Sequence, residues 1–163
     1  VQYYATLLTV RGGDLESETI LAGRGAVLRR IDELTAKSKE KQTSDKEEGV
    51  LSSLQVINEI MARGIGFLPP DIYKSSAKTY IIEGKKIRLP FNAISGCGDA
   101  AAQSLEDARY KKDENGNIMD EIDEFLSVED VQQRSKASST VLNALEKAGA
   151  FETLPKTTQL TFF

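Results

Sequence analysis

The sequence predicts a mainly α fold with one small β-hairpin, on three observations. Apolar residues return at helical spacing over residues 20–34 and again over 50–61. A Gly-x-Gly turn, Gly96-Cys97-Gly98, opens directly onto the alanine run Ala100-Ala101-Ala102. Two further helices, near 127–134 and 138–148, are joined only by Ser135-Lys136-Ala137. With 163 residues the chain can bury a proper core. Its 40% hydrophobic and 28% charged content is that of an ordinary soluble globular protein.

Residues 3–10 are apolar and β-branched enough for a strand or a buried helix end, and their length leaves the choice open. Arg11-Gly12-Gly13-Asp14 ends that segment. From Ser17 to about Lys37 one helix is predicted, with Ile20, Leu21, Val27, Leu28, Ile31 and Leu34 on one face. Gly23 and Gly25 weaken its first half by about 1 kcal/mol each. The mixed-charge stretch 37–48 reads as a solvated linker. A second helix runs from about Asp45 to Arg63, burying Val50, Leu51, Leu54, Ile57 and Met61, with Gly64 as its C-terminal cap. Pro69-Pro70 makes 67–71 extended or turn. Segments 79–83 and 86–89 flank Gly84-Lys85 as a small hairpin.

After the Gly turn, a helix from Asp99 to about Lys111 points Ala102, Leu105 and Ala108 inward. Between Asp113 and Asp130 the chain is acidic and carries no lysine or arginine. Asn115-Gly116-Asn117 marks a turn there, and the stretch 113–124 reads as a solvated, like-charged loop. Asp113, Asn115, Asn117 and Glu124 do not make a calcium loop, because Gly116 is misplaced and no glutamate falls at the twelfth position. Ser127 caps the next helix with Asp130 closing a capping box, and that helix ends near Arg134. Ser138 or Ser139 starts the last helix, which carries Val141, Leu142, Leu145 and Ala148 and stops at Gly149.

The Gly96 turn brings backbone N–H groups and a helix N-terminus to one spot, an arrangement that favours a phosphate. It reads as the hairpin of a helix-hairpin-helix element, with backbone N–H groups of Gly96, Gly98 and Ala100 as donors. The competing account is a glycine turn that only lets two helices pack closely. Arg109, Lys111 and Lys112 either add charge along the same helix or complement its C-terminal dipole. In the second turn the candidates are Lys136, Ser138 and Ser139, the hydroxyls capping the helix by default. The net charge of −4 and pI near 5.0 do not advertise a nucleic-acid binder, but a local patch suffices to hold phosphate. A single cysteine excludes an internal disulfide and fits a reducing compartment, and the absence of histidine excludes the usual triads. No apolar run approaches the ~20 residues that span a bilayer, and no signal peptide is recognisable. The start at Val1 reads as the inside of a longer protein. At the other end Gln159, Leu160, Phe162 and Phe163 combine one amide with apolar anchors, suited to a partner's pocket or to the domain's own surface.

Tyr3-Tyr4-Ala5, Thr9-Val10-Arg11, Arg63-Gly64, 89–96, Gly98, Ala101-Ala102, 125–134, Leu154-Pro155 and 159–163 carry a resemblance over nearly the whole chain. The sequence resembles the C-terminal end of the PolC-type replicative DNA polymerase III α subunits of low-GC Gram-positive bacteria. The resemblance implies that residues 1–70 continue a helical fingers region. It implies that 71–150 form a tandem helix-hairpin-helix module holding the duplex, and that 151–163 are a flexible tail docking on the sliding clamp. Implied partners are the primer-template duplex, the clamp and the remainder of the polymerase, in the bacterial cytoplasm with the nucleoid. The carboxylates that hold two magnesium ions in that family lie upstream, so no catalytic or metal-binding residue is expected here. Carbonyls of the first hairpin are a candidate seat for a monovalent cation, as in some hairpins of this class. Four departures stand out: Cys97 for an aliphatic residue, the stretch 113–124 as an insertion, Ser135 for a glycine, and Phe162 for a leucine in the clamp motif. The alternative reading is a helical protein-interaction module whose only active element is the C-terminal motif.

Overall fold

Residues 3–10, left open between strand and helix by the sequence, lie in a helix in the computed structural model, which describes residues 1–11 and 15–157. This helix, α1 (Gln2–Arg11), buries Ala5 and Leu8. Thr9 donates its hydroxyl to the Ala5 carbonyl (2.9 Å) and accepts the Tyr80 N–H (3.0 Å), fastening α1 to a segment 71 residues away.

The helix expected over 17–37 is divided. Gly23 takes φ 101° and ψ 175°, a conformation that only glycine adopts at ease, and the chain breaks there into α2 (Ser17–Leu21) and α3 (Arg24–Lys39). α3 runs past the expected end, so the linker expected over 37–48 shrinks to residues 40–44. Its charges have a structural use. Lys37 pairs with Glu47 at 2.6 Å and the Ser38 hydroxyl donates to Glu48 at 2.6 Å, latching α3 to α4 (Asp45–Ala62). Ser44 begins α4 with a reciprocal capping box to Glu47.

β1 (Gly66–Leu68), β2 (Ile81–Glu83) and β3 (Lys86–Arg88) form one sheet in the order β1-β3-β2. The hairpin β2–β3 is the expected one, and β1 adds a parallel strand that sequence periodicity did not reveal. Arg88 is buried, with Glu83 across the hairpin and the Pro69 carbonyl (3.0 Å) as partners. A short 3-10 turn (Phe91–Ala93) then leads through the glycine turn into α5 (Asp99–Ala108).

α5 ends at Ala108, short of the expected Lys111, and the stretch expected as a loop is a hairpin of β4 (Tyr110–Lys112) and β5 (Ile118–Ile122). Asp113 shapes its turn, its carboxylate accepting the N–H groups of Asn115 (2.9 Å) and Asn117 (2.8 Å). α6 (Val128–Ser135) and α7 (Ser139–Ala148) follow, capped by Ser127 and Ser138. The Asp130 carboxylate accepts the Leu126 N–H (3.0 Å), so no reciprocal box with Ser127 closes.

Two apolar cores result. The first gathers α1 to α4 with Tyr80, Ile87, Leu89 and Ala93, and the second gathers Ile72, Ala77, Phe91, Cys97 and the inner faces of α5 to α7. Residues 72–93 feed both cores.

Candidate nucleic-acid interface

The first turn runs Ile94-Ser95-Gly96-Cys97-Gly98. Gly96 is left-handed (φ 88°), which turns the chain sharply, and the Cys97 N–H then donates back to the Ile94 carbonyl (3.0 Å). Cys97 points into the second core while Gly96, Gly98 and Ala100 are exposed. Burial pushes the Cys97 thiol up to about 11, with Asp99 adding to the shift, so it serves as a neutral apolar anchor. Gly98 is the N-cap of α5 in an extended conformation and supplies no side-chain cap. The first-turn N–H groups of α5 therefore open to solvent, whereas serines cap α4, α6 and α7.

The second turn repeats this geometry with other residues. Lys136 is left-handed (φ 59°) and exposed, Ala137 is buried in the same core as Cys97, and Ser138 is an extended N-cap (φ −70°, ψ 157°) matching Gly98 (φ −73°, ψ 171°). Ser135 explains its own departure from glycine. Its buried hydroxyl donates to the Val131 carbonyl (2.6 Å) and accepts the Ala137 N–H (3.2 Å), bracing the turn from inside. The Ser138 oxygen accepts the Val141 N–H (3.3 Å), which leaves its hydroxyl proton available to an anion. Ser139 is exposed and within 3.4 Å of the Gln132 amide.

Three expected contributors lie elsewhere. Arg109 is only 5% exposed and its guanidinium donates to the Ile72 and Ser75 carbonyls, so it ties α5 to the segment before β2 and presents no charge to a ligand. Lys111 and Lys112 stand on β4, not on the helix that opens at Gly98, and Lys111 is paired with Glu121 at 2.7 Å. Of the carbonyls of the first hairpin, that of Gly98 accepts the Ala102 N–H (2.9 Å) at the start of α5. Gln159, Leu160, Phe162 and Phe163 lie outside the described residues. The root of that tail is placed: the Pro155 and Lys156 carbonyls accept the N–H groups of Val128 (2.9 Å) and Glu129 (3.2 Å), at the N-terminus of α6.

One cation was missed by sequence reasoning. Phe91 and Asn92 donate to the Ser76 and Ala77 carbonyls (3.0 Å each), which sets Lys78 beside the first turn. Its ammonium lies 3.6 Å from Asp99, whose carboxylate also accepts from the Asn92 amide (3.2 Å). Nothing local to Lys78 signals this, because the proximity is tertiary.

Residues 110–124 hold two lysines and six acids of a chain with 21 basic and 25 acidic residues, leaving the rest balanced at 19 of each. The elements that carry the two turns, residues 94–109 and 125–150, hold four basic and six acidic residues and share in the negative charge.

Paired turns of this geometry, each leading from a buried small residue into a helix N-terminus, define a tandem helix-hairpin-helix module. The model of the helix-hairpin-helix motif family matches residues 64–160, and the chain belongs to that family. Along its full length the chain is similar to proteins named DNA polymerase III PolC-type, as its motifs implied. It is 37% identical over 163 residues to that of Thermotoga petrophila, covering 100% of this chain and 11% of the relative. It is 38% identical over 163 residues to that of Halalkalibacterium halodurans (100% and 10%) and 40% over 161 residues to that of Listeria monocytogenes (99% and 10%). The chain spans about a tenth of the length of these curated relatives. Among the described residues, no helix is long and apolar enough to cross a membrane.

Proposed function

We infer that this chain grips double-stranded DNA by its phosphates, independently of sequence, as the C-terminal duplex-holding part of a PolC-type replicative polymerase. The observation that carries the inference is the repeated turn. In Gly96-Cys97-Gly98 and Lys136-Ala137-Ser138 the first residue is left-handed, the second is small and buried in one shared core, and the third is an extended N-cap of the following helix. Two such starts offer N–H donors and a helix dipole to successive phosphates, and Lys136 and Lys78 add charge. None of these groups reads a base edge, so base identity has little influence.

Nucleotidyl transfer, with its magnesium ions, belongs on this reading to the part of the polymerase upstream of these residues, and no residue of this chain is assigned a catalytic role. Gln159, Leu160, Phe162 and Phe163 serve as the tether to the sliding clamp in the cytoplasm. Support for the tether comes from the motif itself and from the root of the tail, anchored on the second helix-hairpin-helix unit. The rival interaction-module reading draws its strength from the net negative charge, most of which lies on 110–124; the paired turns with Lys136 and Lys78 favour the duplex grip.

Binding of an arbitrary-sequence duplex over a salt series tests the grip. A steep fall in affinity with salt is expected, and a flat response contradicts it. Deletion of 159–163 is expected to abolish clamp binding and leave duplex affinity unchanged, and clamp binding by the truncated chain contradicts the tether.

A further inference from the structure

The hairpin β4–β5 belongs to neither core. Every residue of β5 is exposed. Ile118, Met119 and Ile122 are 49%, 42% and 46% exposed, and Leu126, just beyond, is 70% exposed. Among the described residues β5 pairs only with β4, which leaves its other edge open. A two-stranded hairpin is marginal by itself, yet this one is held at both ends. Asp113 organises the tip, and its bonds to Asn117, Asn115 and Gly116 hold its carboxyl below the usual range. At the base, Arg134 donates to the Ala108 (2.6 Å) and Asp123 (3.0 Å) carbonyls and stacks on Phe125. The arm is therefore kept in place while it presents aliphatic side chains and a bare strand edge to water, a combination that invites another strand.

Charge decides which strand. Asp113, Glu114, Asp120, Glu121, Asp123 and Glu124 surround these apolar residues, against Lys111 and Lys112, and Lys111 is already neutralised by Glu121. Nucleic acid, an anionic lipid surface and a second copy of the arm would each bring negative charge against six carboxylates. We propose that the open edge of β5, with Ile118 and Ile122, is a docking strip for a basic, extended segment of another protein that alternates Lys or Arg with aliphatic residues. Its backbone extends the sheet by one strand, its aliphatic side chains cover the face of Ile118 and Ile122, and its cations meet Glu121 and Asp123 on the opposite face. This interaction is separate from the duplex grip, which the arm's charge would only weaken.

The test titrates the chain with acetyl-Lys-Val-Lys-Ile-Lys-Val-Lys-amide and with its all-glutamate counterpart, following backbone amide signals by NMR. The cationic peptide is expected to shift the amides of 118–122, more weakly as salt rises, and the anionic one to leave them unchanged. Ile118→Ser with Ile122→Ser is expected to weaken binding about tenfold, and Glu121→Lys to weaken it further at low salt while keeping the apolar face. Because these side chains are exposed, an otherwise unchanged amide spectrum verifies the fold of each variant. No shift by the cationic peptide, equal shifts by both peptides, or equal binding by the serine variant overturns the proposal. So does self-association mapped to β5, which assigns the strip to a second copy. Shifts of β5 on deletion of 158–163 also overturn it, since they assign the strip to the chain's own tail.

Discussion

Gly96 and Lys136 hold the same place in two turns of different sequence. Both are left-handed, at φ 88° and φ 59°, both are exposed, and each precedes a residue buried in one shared core. For glycine the conformation costs nothing, whereas for lysine it costs about 1–2 kcal/mol. Lys136 is also the C-cap of α6, and exposed Lys41 takes the same conformation (φ 56°) just after α3, so the conformation by itself assigns the ammonium no role.

Lys136→Gly separates the two effects. Relief of strain, less the extra freedom glycine has when unfolded, is expected to raise stability by about 0.5 kcal/mol in urea denaturation. Duplex affinity is expected to fall, with the slope of log K against log salt shallower by about 0.9. Lower stability together with unchanged affinity contradicts the assigned role.

Asp99 and Lys78 make an opposed pair beside the first turn. Asp99→Asn removes a negative charge from the path of a phosphate and is expected to raise duplex affinity about threefold at low salt. It also removes a favourable charge from the N-terminus of α5, at about 0.5 kcal/mol of stability. Lys78→Ala is expected to lower affinity under the same conditions. Anisotropy with a labelled duplex reads both.

The two turns were legible where local chemistry makes them. The glycine turn, the serine caps and the stop at Gly149 are each set by residues within four positions, and mainly α architecture follows from the same signals. Lys78 was invisible because hydrogen bonds from Phe91 and Asn92 bring it in from afar. Arg109 looked like a helix-end cation, since no local pattern shows that Ile72 and Ser75 turn their carbonyls toward it. The split at Gly23 was half visible: its weakening effect was clear, but its left-handed conformation was not. The β4–β5 hairpin hid behind its acids, which resemble a solvated loop in composition while Ile118 and Ile122 alternate as a strand.

Arg109→Ala leaves the buried Ile72 and Ser75 carbonyls without their donor and is expected to cost about 3 kcal/mol of stability. The salt slope of duplex binding by the folded variant is expected to stay as it was. A shallower slope would restore Arg109 to the interface.

Cys97 links stability to alkaline pH. Its thiol titrates near 11 when folded against 9.0 for the free group, chiefly through burial. The folded state therefore holds the proton longer, and this contribution to stability is whole below pH 9 and is lost as pH rises towards 11. Cys97→Ala is expected to flatten that fall in thermal unfolding, and an unaltered fall contradicts the assignment.

The central claim is that phosphate sits on the open start of α5, and Gly98→Val tests it most directly. A Cβ at Gly98 meets no atom within 4 Å, and φ −73° with ψ 171° suits valine, so the fold has no reason to change. The branched side chain would stand at the mouth of the first-turn N–H groups. Anisotropy of a labelled, arbitrary-sequence duplex over a salt series is expected to show affinity at least about tenfold lower than for the parent chain, with a shallower salt slope. Equal affinity and equal slope in the folded variant would place the duplex elsewhere and contradict the account.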